Sequence, residues 1–358
     1  MAILRLTLVS TLFSSLLLSF LSIWLVAEKA QSQELVGMSG VFKKEGVERS
    51  CVKLPAKALN GGGSAAPDYA WANAALNKVL QDLKVGIQTE NVDLLKPLFH
   101  PQLKVTTAAI NEVLAKQRAI IGKKYSTNIE QVWAIYSKDR TVARIKCDDD
   151  VLQISPLYGY DHQISTWIQS TGDLEAGRFF VTLVPKEKSW YIGNFHWHQW
   201  THKSKDYRNW TEEADGLFKS KNFLAAWVYY DLARKLLNGK TYFLHAGETL
   251  ISDHQKNFAP SISLESEVLK IFPAEKIVHL ASALTTEGVG LMMRFSIDKE
   301  LSAVDIKEHC KKSLRTMIAQ PWFGPLSGLR CGYVMPREPQ DKDGHLGSIY
   351  FDRTTLNK

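Results

Sequence analysis

This sequence lacks the features that mark several large classes of protein. Its 358 residues include only four cysteines, which is too few for a small fold built on disulfides. Hydrophobic residues make up 45% of the chain and charged residues 23%. These values exclude a largely disordered protein, a collagen, a coiled-coil rod and a multi-span membrane protein. The chain is longer than one typical domain, so we expect two or three units.

Established catalytic and nucleic-acid-binding motifs are missing as well. The sequence contains no G-x-S-x-G, no P-loop and no H-E-x-x-H, and its glycines 61–63 lack the flanking strand and lysine of a phosphate-binding loop. The formal net charge is +7, yet Lys and Arg occur only as short pairs. A nucleic-acid-binding protein needs a clustered basic surface or a reader motif. We therefore expect no nucleic-acid partner, and the composition identifies no reaction.

An apolar segment begins the chain. Residues 6–27 carry no charge, and Arg5 precedes them. Small residues occupy the −3 and −1 positions of a cleavage site after Ser32, which predicts a signal peptide over residues 1–32. The run is also long enough for a single membrane anchor. Both alternatives keep Arg5 in the cytoplasm, so we expect an extracytoplasmic protein, periplasmic or secreted, that contacts the membrane only through this segment.

The four cysteines are Cys51, Cys147, Cys310 and Cys331, and no two have the C-x-x-C spacing of a zinc knuckle or a thioredoxin-type site. In an oxidising compartment they allow two disulfides with three connectivities. We favour a disulfide between Cys310 and Cys331, because both lie in one C-terminal unit. The alternative is that all four are small buried hydrophobic residues.

Hydrophobic spacing divides the body of the chain. Residues 33–66 predict a flexible lead-in that ends in a glycine-rich stretch. Helical spacing over residues 71–87 predicts a first helix, and shorter helices are expected over 91–99 and 110–121. Alternation then predicts strands, of which the last two form a long hairpin closed by the turn at residues 185–188. Helices followed by antiparallel strands indicate an α+β fold.

Within this region, residues 98–101 read Leu-Phe-His-Pro, and the last strand contains Trp190, Ile192 and His196 in a W-x-I-x-x-x-H pattern. With the order of elements, these motifs make residues 67–203 resemble the NTF2-like superfamily, especially its SnoaL-like members. The related association domain of calmodulin-dependent kinases has Ser two residues after this His, where this chain has His198. The resemblance implies a cone of helices on a curved antiparallel sheet, a pocket inside it and a homodimer formed through the sheet. It does not assign an activity, since enzymes and binding proteins share such folds.

Two further units follow. Residues 204–258 predict a helical hairpin that resembles one tetratricopeptide-type repeat. One repeat cannot bury its own apolar face, so we expect a bridge packed between two domains. Residues 261–358 predict strand, strand, helix, strand and strand, which suits a small C-terminal α+β sandwich.

Histidines on the last strand of the NTF2-like region are the main candidates for chemistry. Alternate residues of a regular strand share a face, so His196, His198, Trp200 and His202 should project together. Two such imidazoles can bind one zinc or copper ion when another strand supplies a third ligand, for which His162 and Asp161 are the candidates. The alternative is a packed face on which the histidines are hydrogen-bonded wall residues.

The predicted site residues fall into three sets. The ligand-binding candidates are Trp190, Ile192, Asn194, His196, His198 and Trp200; the catalytic candidates are His196, His198 and His100; the metal candidates are His196, His198, His202 and His162. His100 is also placed to end a helix before Pro101. Asp161 and His162 should not touch, since adjacent residues of a strand point to opposite faces.

The leading functional hypothesis is an exported cell-envelope protein without catalytic activity. Its NTF2-like domain would bind a small apolar ligand or a partner protein, and no cofactor is expected. The alternative is an NTF2-like enzyme of the hydrolase or isomerase type that uses the pocket histidines, with zinc as a metal that could assist it. A scaffold or assembly factor built on the helical bridge is a third hypothesis.

Overall fold

The computed structural model describes residues 49–54, 74–138, 145–147, 151–154, 157, 159–187, 189–237, 243–256, 264–285, 287–298, 301–335 and 344–354. The predicted signal peptide or anchor and the glycine-rich stretch lie outside these residues. Among the residues described, no helix is both long enough and apolar enough to cross a membrane.

The described residues have an α+β fold. Their helices are α1 Ala74–Gln88, α2 Val92–Leu95, α3 Thr107–Ile121, α4 Tyr207–Lys219, α5 Phe223–Leu237, α6 Ala246–Lys256, α7 Leu264–Ile271 and α8 Ala303–Ile318. Their strands are β1 Arg49–Leu54, β2 Tyr125–Ser137, β3 Ile145–Lys146, β4 Val151–Ile154, β5 His162–Gly172, β6 Ala176–Lys186, β7 Ser189–Gln199, β8 Phe243–His245, β9 Ile277–Thr285, β10 Gly288–Ser296, β11 Gly328–Met335 and β12 Gly344–Asp352.

A five-stranded antiparallel sheet with the strand order β1-β2-β5-β6-β7 forms the N-terminal unit. Helices α1 and α3 cover one of its faces. Helix α1 brings Leu76, Leu80, Leu83 and Ile87 to this core at helical spacing, and each is 0% exposed. Full burial of one such side chain stabilises the fold by about 1.5–3 kcal/mol, so this face is a packed layer.

The opposite face of the same sheet is buried as well. It carries Trp133, Trp167 and Phe180, which pack against Ile154 and Phe243 of the three-stranded sheet β3-β4-β8. The rings of Trp133 and Trp167 meet edge to face with their centroids 5.1 Å apart. This part of the face is occupied by the chain itself.

Strand β1 corrects the flexible lead-in predicted over residues 33–66. It pairs with β2 from Arg49 opposite Ser137 to Leu54 opposite Val132. A disulfide joins Cys51 to a residue 96 positions further along the chain. A partner strand and a covalent bond so distant in sequence leave no local signal, so hydrophobic spacing within the lead-in could not reveal the strand.

Helices α4 and α5 form the hairpin predicted within residues 204–258. Lys221 occupies the turn with φ 64°, in the left-handed region where glycine is favoured. The hairpin shares one hydrophobic core with the C-terminal unit, in which Trp210 and Leu236 join Phe295 and Leu314. The helical segment is therefore packed into that unit along its length.

A four-stranded sheet with the order β12-β11-β10-β9 forms the C-terminal unit. Strands β10 and β11 are parallel, since α8 makes the crossover between them, and the other pairs are antiparallel. Ser302 begins α8 by accepting a hydrogen bond from the Asp305 N–H at 3.1 Å. The disulfide between Cys310 and Cys331 fastens α8 to β11, which is the pairing favoured from the sequence. The parallel pair and α7 have no counterpart in the sequence-based description.

Candidate functional site

A bulge in β7 divides the predicted ligand-binding residues between the two faces of the sheet. Ile192 lies opposite Leu183, whereas Asn194 lies opposite Thr182, so Gly193 is an extra residue in this strand. A Cβ atom at Gly193 would stand 2.4 Å from Leu157 Cδ1, which explains the glycine. An extra residue reverses the alternation that follows it. The six ligand-binding candidates therefore do not share one face, although the bulge precedes His196, His198 and Trp200, which stay together as expected.

Trp190 and Ile192 belong to the core under the helices, and they are 2% and 0% exposed. Asn194 and His196 lie opposite Thr182 and Phe180 on the other face of the sheet. His198 follows two residues later on this second face. The sheet therefore separates Trp190 and Ile192 from the other predicted ligand-binding residues.

His196 and His198 do lie side by side. Their rings are nearly parallel, with an interplanar angle of 13° and centroids 6.0 Å apart. The His198 ring is 5.9 Å from the ring of Phe243 and 6.1 Å from that of Trp200. Because His198 is only 9% exposed, this arrangement matches aromatic wall residues of a packed layer.

The structure does not assemble the predicted metal ligands. His202 follows the end of β7, where its Nε2 atom is 2.7 Å from the Gly288 carbonyl oxygen and its ring stacks on Trp210. His162 begins β5, and its Nδ1 atom is 3.1 Å from Asp161 Oδ1. The expectation that these two neighbours would not touch is wrong, because Asp161 precedes the strand. Within the described ranges, no three His, Cys, Asp or Glu side chains are grouped as a metal site would require.

His100 has a structural position. It is 4% exposed, and its Nδ1 atom accepts a hydrogen bond from the Gln102 N–H at 3.4 Å, at the start of a 3₁₀ turn. Burial lowers the pKa of His100, and the charge of Lys186 lowers it further. A neutral imidazole is the form that accepts this bond. The sequence predicted that His100 ends a helix, and the structure has it cap the start of the turn at Pro101–Leu103. This structural role fits the contacts better than acid–base chemistry.

A buried arginine, Arg178 on β6, is a feature that sequence reasoning missed. Its guanidinium lies 3.4 Å over the centroid of Trp200 and 4.9 Å over that of Trp167. It donates to Glu130 Oε1 at 2.6 Å and to Gln169 Oε1 at 3.0 Å. Burial lowers its pKa to about 10, against the opposing effect of Glu130. Because Arg178 and Phe180 are two residues apart on β6, strand alternation predicts that they share a face. It does not predict that Glu130 and Gln169 accept the hydrogen bonds of Arg178.

A groove with mixed polar and apolar walls lies in the other half of the molecule, between α5, α7 and β9. Its volume is about 300 Å³. It is lined by Trp227, Leu264, Glu265, Ile277, Val278, His279 and Leu280. Val278 is 48% exposed, which is unusual for a strand valine beside a core. Burial lowers the pKa of His279, and the charges of Arg294 and Lys235 act in the same direction, so this histidine is neutral at neutral pH.

No family model, no curated protein and no solved structure matches this chain.

Proposed function

We propose that this protein is an exported, non-catalytic binding protein of the cell envelope that takes a small apolar ligand in the groove between α5, α7 and β9. The groove carries the proposal, because its volume of about 300 Å³ reaches the lower end of the range for small-molecule sites, and Trp227, Leu264 and Ile277 give it apolar contacts beside polar ones. Glu265 at the rim and the neutral ring of His279 supply the few polar groups that would orient a ligand.

Export has two supports. The uncharged run at residues 6–27 has the layout of a signal peptide or anchor. Both disulfides, Cys51–Cys147 and Cys310–Cys331, use all four cysteines of the chain. Disulfides persist mainly in oxidising compartments.

We also propose that the N-terminal unit is an NTF2-like domain. Three helices precede most of its strands, and α1 and α3 pack on one face of an antiparallel sheet with a bulged last strand. Its interior is filled by leucine and isoleucine side chains such as Leu80, Leu83 and Ile87. For this reason we place the ligand in the groove of the C-terminal unit and not inside the cone.

The positions of the histidines support binding over catalysis. His100 fixes a turn, His202 contacts the Gly288 carbonyl, and His198 packs against Phe243. A general acid or base must reach the reacting atom, and these three side chains lie at separate places with structural contacts of their own.

Titration with N-phenyl-1-naphthylamine, a neutral apolar dye that fluoresces when it leaves water, tests the proposal. Val278→Trp should fill the groove and weaken dye binding roughly tenfold, a loss of about 1.4 kcal/mol. The matched control is Val85→Trp, because Val85 on α1 is 47% exposed and Val278 is 48% exposed. Binding that is equally strong in both variants, or absent in the native protein, would contradict the groove as the ligand site.

A further inference from the structure

The two edges of the C-terminal sheet differ in how their backbone groups are used. At β9 the Ser282 N–H donates to Asp231 Oδ2 at 2.8 Å, and Lys235 Nζ donates to the Ser282 carbonyl oxygen at 2.6 Å. Both side chains come from α5. A register shift opposite Arg294 and Phe295 interrupts the same edge. Side-chain caps and bulges are devices that prevent an edge strand from pairing with another chain.

Strand β12, at the other edge, also has a register shift, opposite Tyr333 and Val334. Beyond it, in the part of the chain described, no side chain caps the backbone groups of Ser348 and Tyr350 as Asp231 and Lys235 cap those of Ser282. The Arg353 N–H donates to the Ser327 carbonyl oxygen at 2.9 Å, so these two residues form a hydrogen-bonded pair. From there, hydrogen-bonded and non-hydrogen-bonded pairs alternate along β12 and β11. The alternation turns the N–H and C=O groups of Ile349 and Phe351 toward β11. Those of Ser348 and Tyr350 point outward, where no described strand lies beyond β12.

The sequence of β12 does not protect this edge. Residues 344–352 read GHLGSIYFD, in which Asp352 at the end of the strand is the one Asp, Glu, Lys or Arg and there is no Pro. Natural edge strands commonly carry Lys or Pro, since an edge with few charges is a template for another strand. Ser348 is exposed in this structure. An edge that presents backbone donors and acceptors to solvent is the arrangement used when an extended peptide is added to a sheet.

Basic side chains flank the open edge. Helix α8 packs beside β12, with Lys311 Nζ 5.8 Å from the centroid of the Phe351 ring. Lys307 and Arg315 lie one turn before and one turn after Lys311 on the same flank of the helix. Lys311 also contacts Glu308 at 3.5 Å, and Asp352 ends β12, so these three basic side chains face two acidic ones. If two copies of β12 paired with each other, the basic flanks of two α8 helices would come close and repel each other. An acidic strand would instead be attracted to this flank.

We propose that the outer edge of β12, with the basic flank of α8, binds an extended acidic peptide segment of a partner protein as a fifth strand. Ser348 and Tyr350 supply the backbone hydrogen bonds. Lys307, Lys311 and Arg315 select carboxylates at alternate positions of the added strand. This site is at the far edge of the sheet from the groove, and it does not depend on the groove's ligand.

The probe is a fluorescein-labelled peptide of alternating Glu and Val, with a Lys and Val peptide for comparison, titrated into the full chain by fluorescence anisotropy. Ser348→Pro removes an outward N–H without breaking a bond to β11, as proline is tolerated at such edge positions. It should weaken binding of the acidic peptide roughly tenfold, the scale of a lost pair of backbone contacts. The matched control, Ser348→Ala, keeps the N–H and should leave the affinity unchanged.

The double charge reversal Lys307→Glu with Lys311→Glu tests the same site without touching a strand. It should reduce affinity for the acidic peptide and raise it for the basic peptide, and it decides the matter if the proline variant does not fold. Equal affinity of the native protein for the two peptides, or an acidic peptide that both variants bind as tightly, would overturn the proposal. So would a dimer in sedimentation that Ser348→Pro abolishes, because the edge would then serve self-pairing.

Discussion

The five-stranded sheet of the N-terminal unit is covered by buried side chains on both faces, whereas the four-stranded sheet of the C-terminal unit carries a groove beside one edge and an open strand at the other. In the first sheet, Trp133, Trp167 and Phe180 are each no more than 2% exposed. In the second, Val278 is 48% exposed. The aromatic and histidine-rich strands thus have both faces covered by the chain itself, whereas in the second sheet the surface available to a ligand lies at the edges.

The two disulfides provide the largest test of this comparison. Cys310 and Cys331 are 0% exposed, whereas Cys51 and Cys147 are partly exposed. Dithiothreitol should therefore reduce the Cys51–Cys147 bond first under native conditions. Because this bond closes a loop of 96 residues, its loss should lower the free energy of unfolding by about 4.7 kcal/mol in the chain-entropy description.

Alkylation of the freed thiols followed by peptide mass spectrometry identifies which bond opens, and urea unfolding of the half-reduced protein gives the free energy. The fully oxidised protein, carried through the same alkylation, is the control. Earlier reduction of Cys310–Cys331 would mean that the C-terminal unit opens more readily than its packing indicates.

The next largest effect is expected on the face of the N-terminal sheet that packs against the sheet β3-β4-β8. Trp167→Ala should lower the free energy of unfolding by about 4 kcal/mol, since Trp167 is 2% exposed and touches the rings of Trp133 and Phe243. Trp227→Ala is the matched control in the second unit. Trp227 is only partly buried at the groove, so we expect a loss of about 1–2 kcal/mol.

Urea unfolding followed by far-UV circular dichroism measures both variants without using tryptophan fluorescence. A loss in Trp167→Ala no larger than that in Trp227→Ala would contradict the tight packing of this face.

The contrast also shows which parts of the fold a sequence can predict. The helix now found as Ala74–Gln88, the hairpin of β6 and β7 and the strand–helix order of the C-terminal unit all follow from local spacing. Strand β1 could not be predicted in this way, because its partners Ser137 and Cys147 are distant in the chain.

The candidate site was less accessible to prediction than the fold. A single extra residue at Gly193 moves His196 to the face opposite Ile192, and nothing in an alternating pattern shows where a strand will bulge. The groove has no local signal either, because α5, α7 and β9 supply its walls from separate parts of the sequence. Sites formed by tertiary contacts need the structure.

The smallest expected effect concerns His202, which joins the two units through its contact with Gly288. Burial lowers the pKa of His202 below its ordinary value of 6.5, although the Gly288 hydrogen bond and the charge of Glu175 oppose the shift. In the unfolded chain the imidazole titrates near its ordinary value. At lower pH the unfolded state therefore binds more protons, and the stability that the neutral ring provides is lost as pH falls below about 6.5.

Urea unfolding at about pH 7.5 and about pH 5.5 should show that the native protein is less stable at the lower pH. His100 and His279 also contribute to this pH dependence of the free energy of unfolding, since burial lowers their pKa values. His202→Gln keeps a hydrogen-bond donor for the Gly288 carbonyl but cannot be protonated, so it should reduce this pH dependence. His279→Gln, at the exposed groove, is the matched control and should change it less, because His279 is exposed whereas His202 is only 6% exposed. If His202→Gln leaves the pH dependence of the free energy of unfolding unchanged and His279→Gln removes it, the prediction is wrong. Protonation at the groove, and not at the junction between the two units, would then destabilise the protein.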